Sequence, residues 1–280
     1  MRLFLLVSLV MVAFAANSVL NRMAVFGAGL DPEWVAVLRL GAGAVVLLGL
    51  TLALQGAQSL RISPKIVLVG MATLFLYIYG FSIASGLIDA GVGALVLFGS
   101  VQITMFVGAW ITRERLTRWR LIGAALAFAG LVTLLLPGSS GAHIDPPGVG
   151  LMVLGGIGWG LYSLNGRGVR DPLAASALNF TLALVLALGW LAASGDPGQG
   201  QAWGIWPALA SGAITSGLGY ALWYRVLPQV PASLAAIAQL SVPLIAALGG
   251  ALLLAEVPGP RFWISATLVL GGIALSLKKS

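Results

Sequence analysis

Residues 113–135 read RERLTRWRLIGAALAFAGLVTLL, and residues 255–277 read AEVPGPRFWISATLVLGGIALSL. Each stretch carries a glutamate, then a short link, then a long apolar run rich in glycine and alanine. The two glutamates, Glu114 and Glu256, stand 142 residues apart. Two such segments in one chain indicate an internal repeat in which each half ends on a related helix.

The same spacing recurs upstream of both segments. Asp-Pro pairs begin at Asp31 and Asp171, which stand 140 residues apart. Further matches keep the same order at offsets of 142 to 144: Gly70 and Gly212, Thr73 and Thr215, Ala90 and Ala232, Ala94 and Ala236, Gly130 and Gly272, Leu20-Asn21 and Leu164-Asn165. We therefore divide the chain into two related units, residues 1–140 and 141–280.

Composition places this chain in a lipid bilayer. Apolar residues make up 59% of it and charged residues only 8%, against roughly 25% charged in soluble domains. Ten apolar runs approach the ~20 residues that a spanning helix needs. They lie near Leu3–Leu20, Trp34–Leu54, Ile66–Ile88, Gly91–Ile111, Leu121–Leu136, Val149–Leu164, Leu173–Ala193, Trp206–Tyr224, Ala232–Ala255 and Phe262–Leu277. The runs do not alternate as barrel strands would, so the sequence predicts an all-α membrane protein of ten transmembrane helices.

The first run also has features of a cleaved signal peptide. Its counterpart in the second half favours a retained first helix. The shorter fifth and tenth runs are expected to extend into their flanks.

The positive charges predict the orientation. Twelve of the 15 Lys and Arg residues fall on the side of the N-terminus, Arg22 and Arg261 fall on the other side, and Arg39 lies within an apolar run. Basic residues concentrate on the cytoplasmic side of membrane proteins, so both termini are expected to be cytoplasmic. The net charge of +7 is read as this topological signal, and no nucleic-acid partner is predicted.

An odd number of helices in each half has a geometric consequence. The second half must enter the membrane from the opposite side, so the repeat is inverted. Inverted repeats are frequent in secondary transporters, whose substrate site lies near the midplane between the halves.

The two quoted segments, with GIGWGLYSLNGR at residues 156–167, resemble the drug/metabolite transporter superfamily in its EamA-domain branch. The resemblance covers the whole chain as two EamA-like units. It implies an exporter or facilitator of amino acids and other metabolites, and the chain also resembles the aromatic amino-acid exporters of that branch. These loose, apolar motifs identify the superfamily better than the substrate.

Polar and aromatic residues at midplane depth are the candidate substrate-binding groups, because they are costly in lipid unless they face a cavity or another helix. Amides, hydroxyls and aromatic rings together suit a zwitterion with a flat apolar side chain. The candidates are Asn17, Tyr77, Tyr79, Phe98, Gln102, Trp159, Tyr162, Ser163, Tyr220, Gln239 and Ser241. Tyr77 and Tyr79 diverge on a helix, so only one of them is expected to line the cavity. Pro243 is expected to form a kink or hinge in helix 9.

The charged residues near the helices leave several interpretations open. Arg39 could snorkel outward, pair with Asp31 or Glu33, or meet a substrate carboxylate near the exit. Glu256 is expected to pack at a helix end or pair with Arg261, and Glu114 to do the same with Arg113 or Arg115. The predicted midplane holds no Asp or Glu, which favours a carrier whose coupling uses no buried carboxylate.

Other function classes fit the sequence less well. The chain has no Cys and a single His, His143, so the sequence predicts neither a metal site nor a cofactor, and no enzyme constellation is visible. Carriers of nucleotide sugars or phosphate esters need more buried cations, multidrug cation exporters need a buried carboxylate, and a lipid-handling enzyme needs a reactive cluster at one interface. The sequence therefore favours alternating-access transport of a small molecule, most of all amino-acid export, across a bacterial plasma membrane. The oligomeric state stays open.

Overall fold

A computed structural model provides the coordinates. It describes residues 2–111, 118–135, 145–166, 169–194, 200–226, 229, 239, 241–276 and 278. The predicted boundary between the halves at residues 140 and 141 lies outside this range, as do Glu114, Arg113, Arg115 and His143. The boundary at that point remains a prediction.

The described residues form ten helices, which confirms the predicted all-helical fold. In chain order they are α1 (Arg2–Arg22), α2 (Pro32–Gln55), α3 (Pro64–Leu87), α4 (Ala90–Ile111), α5 (Arg118–Leu135), α6 (Pro146–Gly166), α7 (Pro172–Ser194), α8 (Ile205–Ala210, Ser211–Leu218 and Gly219–Val226, continuous), α9 (Ser241–Leu254) and α10 (Pro260–Ser276). A π-helical turn, Met23–Gly27, extends α1, and the middle part of α8 is also π-helical. Short 3-10 turns at Ala57–Leu60 and Ala202–Gly204 precede α3 and α8.

Aspartate and proline start several of these helices. Asp31 Oδ1 accepts hydrogen bonds from the backbone N–H groups of Glu33 (2.8 Å) and Trp34 (3.2 Å). Asp171 Oδ1 accepts one from Ala174 (3.1 Å) at the start of α7. Proline follows each aspartate at the first helical position, where its missing N–H has no cost. The repeated Asp-Pro pair is therefore a helix-capping signal in both halves.

Length and apolar composition allow five of the helices among the described residues to cross a membrane. These segments are Arg2–Gly27, Pro32–Gln55, Pro64–Leu87, Pro146–Gly166 and Pro172–Ala193. Shorter apolar segments occur in α4, α5 and α9. Large apolar side chains such as Val45, Leu54 and Leu252 point outward and are exposed, as expected where lipid is the solvent.

Exchanging the two halves reproduces most of the helix contacts that join them. Three helices pack against their own counterparts, in the pairs α2–α7, α4–α9 and α5–α10. Most of the other helix contacts between the halves come as matched pairs: α3–α6 with α8–α1, α4–α6 with α9–α1, and α3–α7 with α8–α2. The contact of α4 with α10 has no comparable counterpart among the described residues. This pattern is the one that two related five-helix units produce when they pack around a pseudo-twofold axis.

Matched glycines make equivalent close contacts in the two halves. A methyl group at Gly70 in α3 would collide with the Asn179 side chain in α7, and one at Gly212 in α8 would collide with the Arg39 carbonyl oxygen in α2. Gly70 and Gly212 are a repeat pair, and Arg39 and Asn179 stand at the same 140-residue offset as the two Asp-Pro pairs. The absence of a Cβ lets the backbones approach closely, as is usual between membrane helices.

The α5–α10 contact shows the same reciprocity. A Cβ at Gly130 in α5 would lie 2.9 Å from the Ser265 carbonyl oxygen in α10, and a Cβ at Gly272 in α10 would lie 2.6 Å from the Ala127 nitrogen in α5. Gly130 and Gly272, a repeat pair within the two opening segments, thus let the final helices of both halves pack closely. Both helices extend into their flanks as predicted, beginning at Arg118 and Pro260.

Candidate functional site

An amide on α1 and three hydroxyls on α8 form a buried polar contact between the halves. Asn17 Oδ1 accepts hydrogen bonds from Ser211 Oγ (2.8 Å), Ser216 Oγ (3.3 Å) and Thr215 Oγ1. Asn21, one turn further along α1, donates from Nδ2 to Ser211 Oγ at 2.9 Å. All five side chains are at most 5% exposed, so these hydrogen bonds are shielded from solvent.

The π-helical part of α8 explains how three hydroxyls reach one acceptor. Ser211 and Thr215 are four residues apart and share a helix face in any case. Ser216 is five residues from Ser211, and in an α-helix the two would diverge by roughly 140°. The wider π turn, with its i→i+5 bonding, brings Ser216 back toward the same face.

Arg39 enters this contact from α2. It is 0% exposed. Its Nε donates to Ser216 Oγ at 3.2 Å, and its Nη2 donates to the Tyr77 hydroxyl at 2.8 Å. Its Nη1 is buried and has no hydrogen-bond partner within the described structure. The interpretation that Arg39 snorkels outward is therefore wrong, and its hydrogen bonds go to Ser216 and Tyr77 in place of Asp31 or Glu33.

Four aromatic rings surround the same place. Trp159 in α6 lies with its ring centroid 5.0 Å from that of Tyr77, 5.1 Å from Tyr220 and 6.5 Å from Phe14. Phe14 also meets Tyr220 edge to face at 5.8 Å. Trp159 is half-buried, while the other three rings are buried. Offset and edge-to-face arrangements of this kind are the favoured aromatic contacts.

We call six of these residues the central cluster: Asn17, Arg39, Tyr77, Trp159, Ser216 and Tyr220. They come from α1, α2, α3, α6 and α8, so both halves contribute. The structure brings together four of the residues proposed from the sequence, Asn17, Tyr77, Trp159 and Tyr220.

Tyr162 and Tyr79 lie beside the central cluster with different partners. Tyr162 stacks on Trp159 at 5.6 Å, and its hydroxyl lies 3.0 Å from Ser176 Oγ in α7. Tyr79 points away from Tyr77, donates to the Ala187 carbonyl oxygen at 3.2 Å and stacks on Phe75 at 4.2 Å. Tyr77 is thus the member of the tyrosine pair that reaches the central cluster.

The remaining candidates stand outside the central cluster. Ser163 donates to the Trp159 carbonyl oxygen in its own helix at 2.8 Å. Phe98 and Gln102 in α4 are half-buried, and so is Gln239. Ser241 begins the described part of α9. Their assignment to a substrate site rests on the sequence alone.

Pro243 lies in the first turn of the described part of α9. Residues 230–238 and 240, where a kink in a longer helix 9 would be visible, lie outside the described range. The hinge remains a prediction.

A second polar group joins the halves at the predicted outer end, where α1, α3 and α9 finish. Arg22 is 2% exposed and forms ion pairs with Glu256, through Nε, and with Asp89, through Nη2 at 3.3 Å. Its Nη1 donates to the Ser85 carbonyl oxygen at 3.0 Å. Glu256 Oε2 accepts the backbone N–H of Ala90 at the start of α4 (2.8 Å). Glu256 therefore pairs with Arg22, whereas the sequence predicts packing at a helix end or a pair with Arg261.

Burial controls the ionisation of Glu256. It raises the pKa of this carboxyl above its ordinary value, and the nearby Asp89 acts in the same direction. The hydrogen bonds from Arg22 and Ala90 and the Arg22 charge oppose that rise. Desolvation exceeds the attraction of the partners, as is common for ion pairs taken out of water.

Sequence reasoning missed Phe14 and the hydroxyls of Ser211 and Thr215. Phe14 stands three residues before Asn17 and therefore shares its helix face, which is a signal that the sequence does carry. Arg39 and Asn179 are polar residues at the 140-residue offset. A polar residue at both counterpart positions indicates that the Arg39 side chain faces the protein interior rather than the lipid. The π register of α8 has no comparable signal.

Comparisons with known proteins agree on one family. The model of the EamA-like transporter family matches residues 1–136 and again residues 146–278. An uncharacterized protein of Pseudomonas aeruginosa is 46% identical over 99% of this chain and 94% of its own length. A protein of Salmonella typhimurium named "Probable amino-acid metabolite efflux pump" is 26% identical over 67% of each chain. One crystal structure superposes with a TM-score of 0.68 at 20% identity, covering 96% of this chain and 97% of its own, which supports the fold.

Proposed function

Because this chain belongs to the EamA-like transporter family and is a multi-pass membrane protein, we propose that it exports small metabolites, foremost amino acids, by alternating access. Substrate would bind at the central cluster, and the two halves would rock around it to open one side of the membrane at a time.

The observation that carries this proposal is the position of the central cluster. It lies between the two halves, with Asn17 and Arg39 from the first half hydrogen-bonded to Ser216 from the second. A site built from both halves changes shape whenever they move relative to each other. That coupling is what a carrier needs in order to expose one site alternately to two compartments.

The contacts at the predicted outer end fit one state of this cycle. Arg22 and Asp89 belong to the first half and Glu256 to the second, so their ion pairs close the bundle between α1, α4 and α9. In the proposed cycle they separate when substrate leaves outward and form again on return. We also propose that both termini face the cytoplasm of a bacterial cell.

The residues of the central cluster favour amino acids with flat side chains. Amide, hydroxyl and guanidinium groups can hold the polar end, and the Trp159, Tyr77 and Tyr220 rings can hold an apolar one. The efflux name of the Salmonella relative agrees with this substrate class. Among the described acids, each lies at a helix end or in a link, so we propose that transport does not depend on protonation of a midplane carboxylate.

Uptake into liposomes that contain the purified protein tests the proposal. Labelled amino acids, aromatic ones included, would be supplied outside with and without a pH gradient. We expect saturable uptake that does not require the gradient, and at least about a tenfold loss in Asn17→Ala and Trp159→Ala, because each removes a central-cluster group. Ser59→Ala, which alters only the turn before α3, serves as the control. Absence of uptake of every amino acid by folded protein would reject the amino-acid assignment.

A further inference from the structure

We infer that Arg39 is the binding group for a substrate carboxylate, so that this carrier selects its substrates by a carboxylate and not by an amine. The inference rests on the proposed function and assigns the chemistry of its site. The first observation is a charge without a counter-charge. Arg39 is fully buried roughly 10 Å along α2 from its start, and it donates hydrogen bonds to two neutral hydroxyls.

The acidic residues that the structure describes lie elsewhere. Six of the eight fall within the described residues, and all six stand at helix ends or in links: Asp31, Glu33, Asp89, Asp145, Asp171 and Glu256. The faces of Tyr77 and Phe81, each 5.1 Å from the guanidinium carbon, compensate the charge in part. An aromatic face does not replace an anion for a buried cation. Binding of a negatively charged ligand beside Arg39 would therefore be favourable.

The directions of the hydrogen bonds add a second observation. Arg39 Nε donates to Ser216, and Ser216 in turn donates to Asn17 Oδ1. The Tyr77 oxygen accepts from Arg39, which leaves its own proton available. The groups that remain to a ligand at this point are thus donors: Arg39 Nη1, which has no partner, and the Tyr77 hydroxyl. A carboxylate supplies the acceptors that these donors need, whereas an ammonium group would add more donors.

The counterpart position in the second half separates a ligand-binding role from a packing role. Asn179 in α7 is the counterpart of Arg39 at the 140-residue offset. Its side chain packs at Gly70, whereas Gly212 meets the backbone carbonyl of Arg39. The α7 position carries a neutral amide, and the close approach of α2 to Gly212 involves the Arg39 backbone rather than its charge. The charge of Arg39 is thus present at only one of the two counterpart positions. Its guanidinium faces the Tyr77 ring, and Tyr77 in turn contacts Trp159, whose ring can receive an apolar group.

A single guanidinium also limits the charge of the anion that can bind. Phosphate esters carry up to two charges and are usually held by several cationic or backbone donors. Arg39 is the cationic residue of the central cluster as described. The single negative charge of a monocarboxylate equals its single positive charge.

Binding measurements on the purified full-length protein test the inference in matched pairs. The probes are alanine, leucine and phenylalanine, their carboxamides, which lack the carboxylate, and 3-phenylpropionate, which lacks the amine. Binding is followed by the shift in melting temperature and by calorimetry. We expect at least one amino acid and 3-phenylpropionate to bind the wild type, and the matching carboxamides to bind at least about tenfold more weakly.

The Arg39→Gln variant supplies the second arm. We expect it to lose carboxylate binding by about tenfold or more while melting, without ligand, at or above the wild-type temperature, because it removes an uncompensated charge. Arg39→Lys should restore part of the binding. Arg170→Gln, which removes an exposed arginine, should behave as the wild type.

Carboxamides that bind as tightly as the amino acids would overturn the inference, and so would a wild type that binds none of the carboxylates. Both results come from the wild type and do not depend on the folding of any variant. Transport of carboxamides would reject the inference and leave the carrier function in place. Tight carboxylate binding without any transport would support the inference and reject the carrier function.

Discussion

Arg22 in α1 and Glu256 in the link between α9 and α10 form an ion pair across the two halves of the chain, 234 positions apart in the sequence. Asp89, before α4, is the second carboxylate partner of Arg22. The three residues therefore join the first half to the second at the predicted outer end, away from the central cluster. This separation allows the closing contact and the binding group to be altered independently.

Replacing Arg22 by Gln should open the predicted outer end. Glu256 and Asp89 would then be buried without their cation, and their mutual repulsion favours separation. Because the chain has no cysteine, Ser85→Cys places a single thiol beside Arg22. We expect an impermeant maleimide to label it roughly fivefold faster or more in the Arg22→Gln background. Arg261→Gln is the control, and an unchanged rate in Arg22→Gln would argue against the contact as a closing device.

Acidification should favour the closed outer end. The pKa of Glu256 is raised in the closed state, and it should return toward its ordinary value when the end opens and the carboxyl meets water. The closed state therefore binds the proton more tightly than the open state. The free-energy preference for the closed state grows as the pH falls through the raised pKa. The ratio of Ser85→Cys labelling to that of an exposed control thiol should decrease from pH 8 to pH 5. This decrease should be weaker in Glu256→Gln, and a ratio that rises on acidification would contradict the assigned sign.

A carboxylate placed within the central cluster should stabilise the fold and block the site. Asn17→Asp would keep an acceptor for the α8 hydroxyls and put a negative charge one hydroxyl away from Arg39. We expect a higher melting temperature, by roughly 2–4 °C for each kcal/mol gained, together with loss of amino-acid binding. Asn17→Ala should instead lower the melting temperature, because it leaves buried hydroxyls without their acceptor. Equal destabilisation by both substitutions would be incompatible with an unneutralised Arg39.

Two adjacent glycines in α10 should respond differently to the same substitution. A Cβ at Gly272 would lie 2.6 Å from the Ala127 nitrogen, whereas a Cβ at Gly271 would have no atom within 4 Å. Overpacking of this kind costs about 1–3 kcal/mol. Gly272→Ala should therefore lower the melting temperature by several degrees, and Gly271→Ala should leave it nearly unchanged. Equal effects would show that the α5–α10 contact is not as close as described.

Much of the fold could be read from the sequence because membrane helices leave a strong signal. The apolar runs predicted the bounds of nine of the described helices to within a few residues, and the Asp-Pro pairs predicted the starts of α2 and α7. The predicted start of the ninth helix at Ala232 lies outside the described residues. The repeat offsets also predicted spatial equivalence, since Gly70 and Gly212 make matching contacts. Periodicity and capping are local properties, and local properties are visible in a single sequence.

The site was harder to predict because it depends on side-chain direction. Arg39 has both a lipid-facing and an inward interpretation when only its depth is known, and the packing of α2 against α3 and α8 decides between them. The π-helical register of α8 rotates Ser216 into the central cluster, and no residue pattern announces it. Sequence proximity suggests packing at a helix end or a pair with Arg261 for Glu256, whereas the fold supplies Arg22 from 234 positions away.

Counterflow across liposome membranes tests the central claim, that one site between the halves is exposed alternately to the two sides. Vesicles loaded with an unlabelled amino acid would be diluted into a trace of the same labelled compound, and the internal label would be followed over time. The account predicts a transient accumulation of label above equilibrium, which is lost in Arg39→Gln and retained in Arg170→Gln. Entry that never exceeds equilibrium and does not saturate would indicate a channel and contradict alternating access.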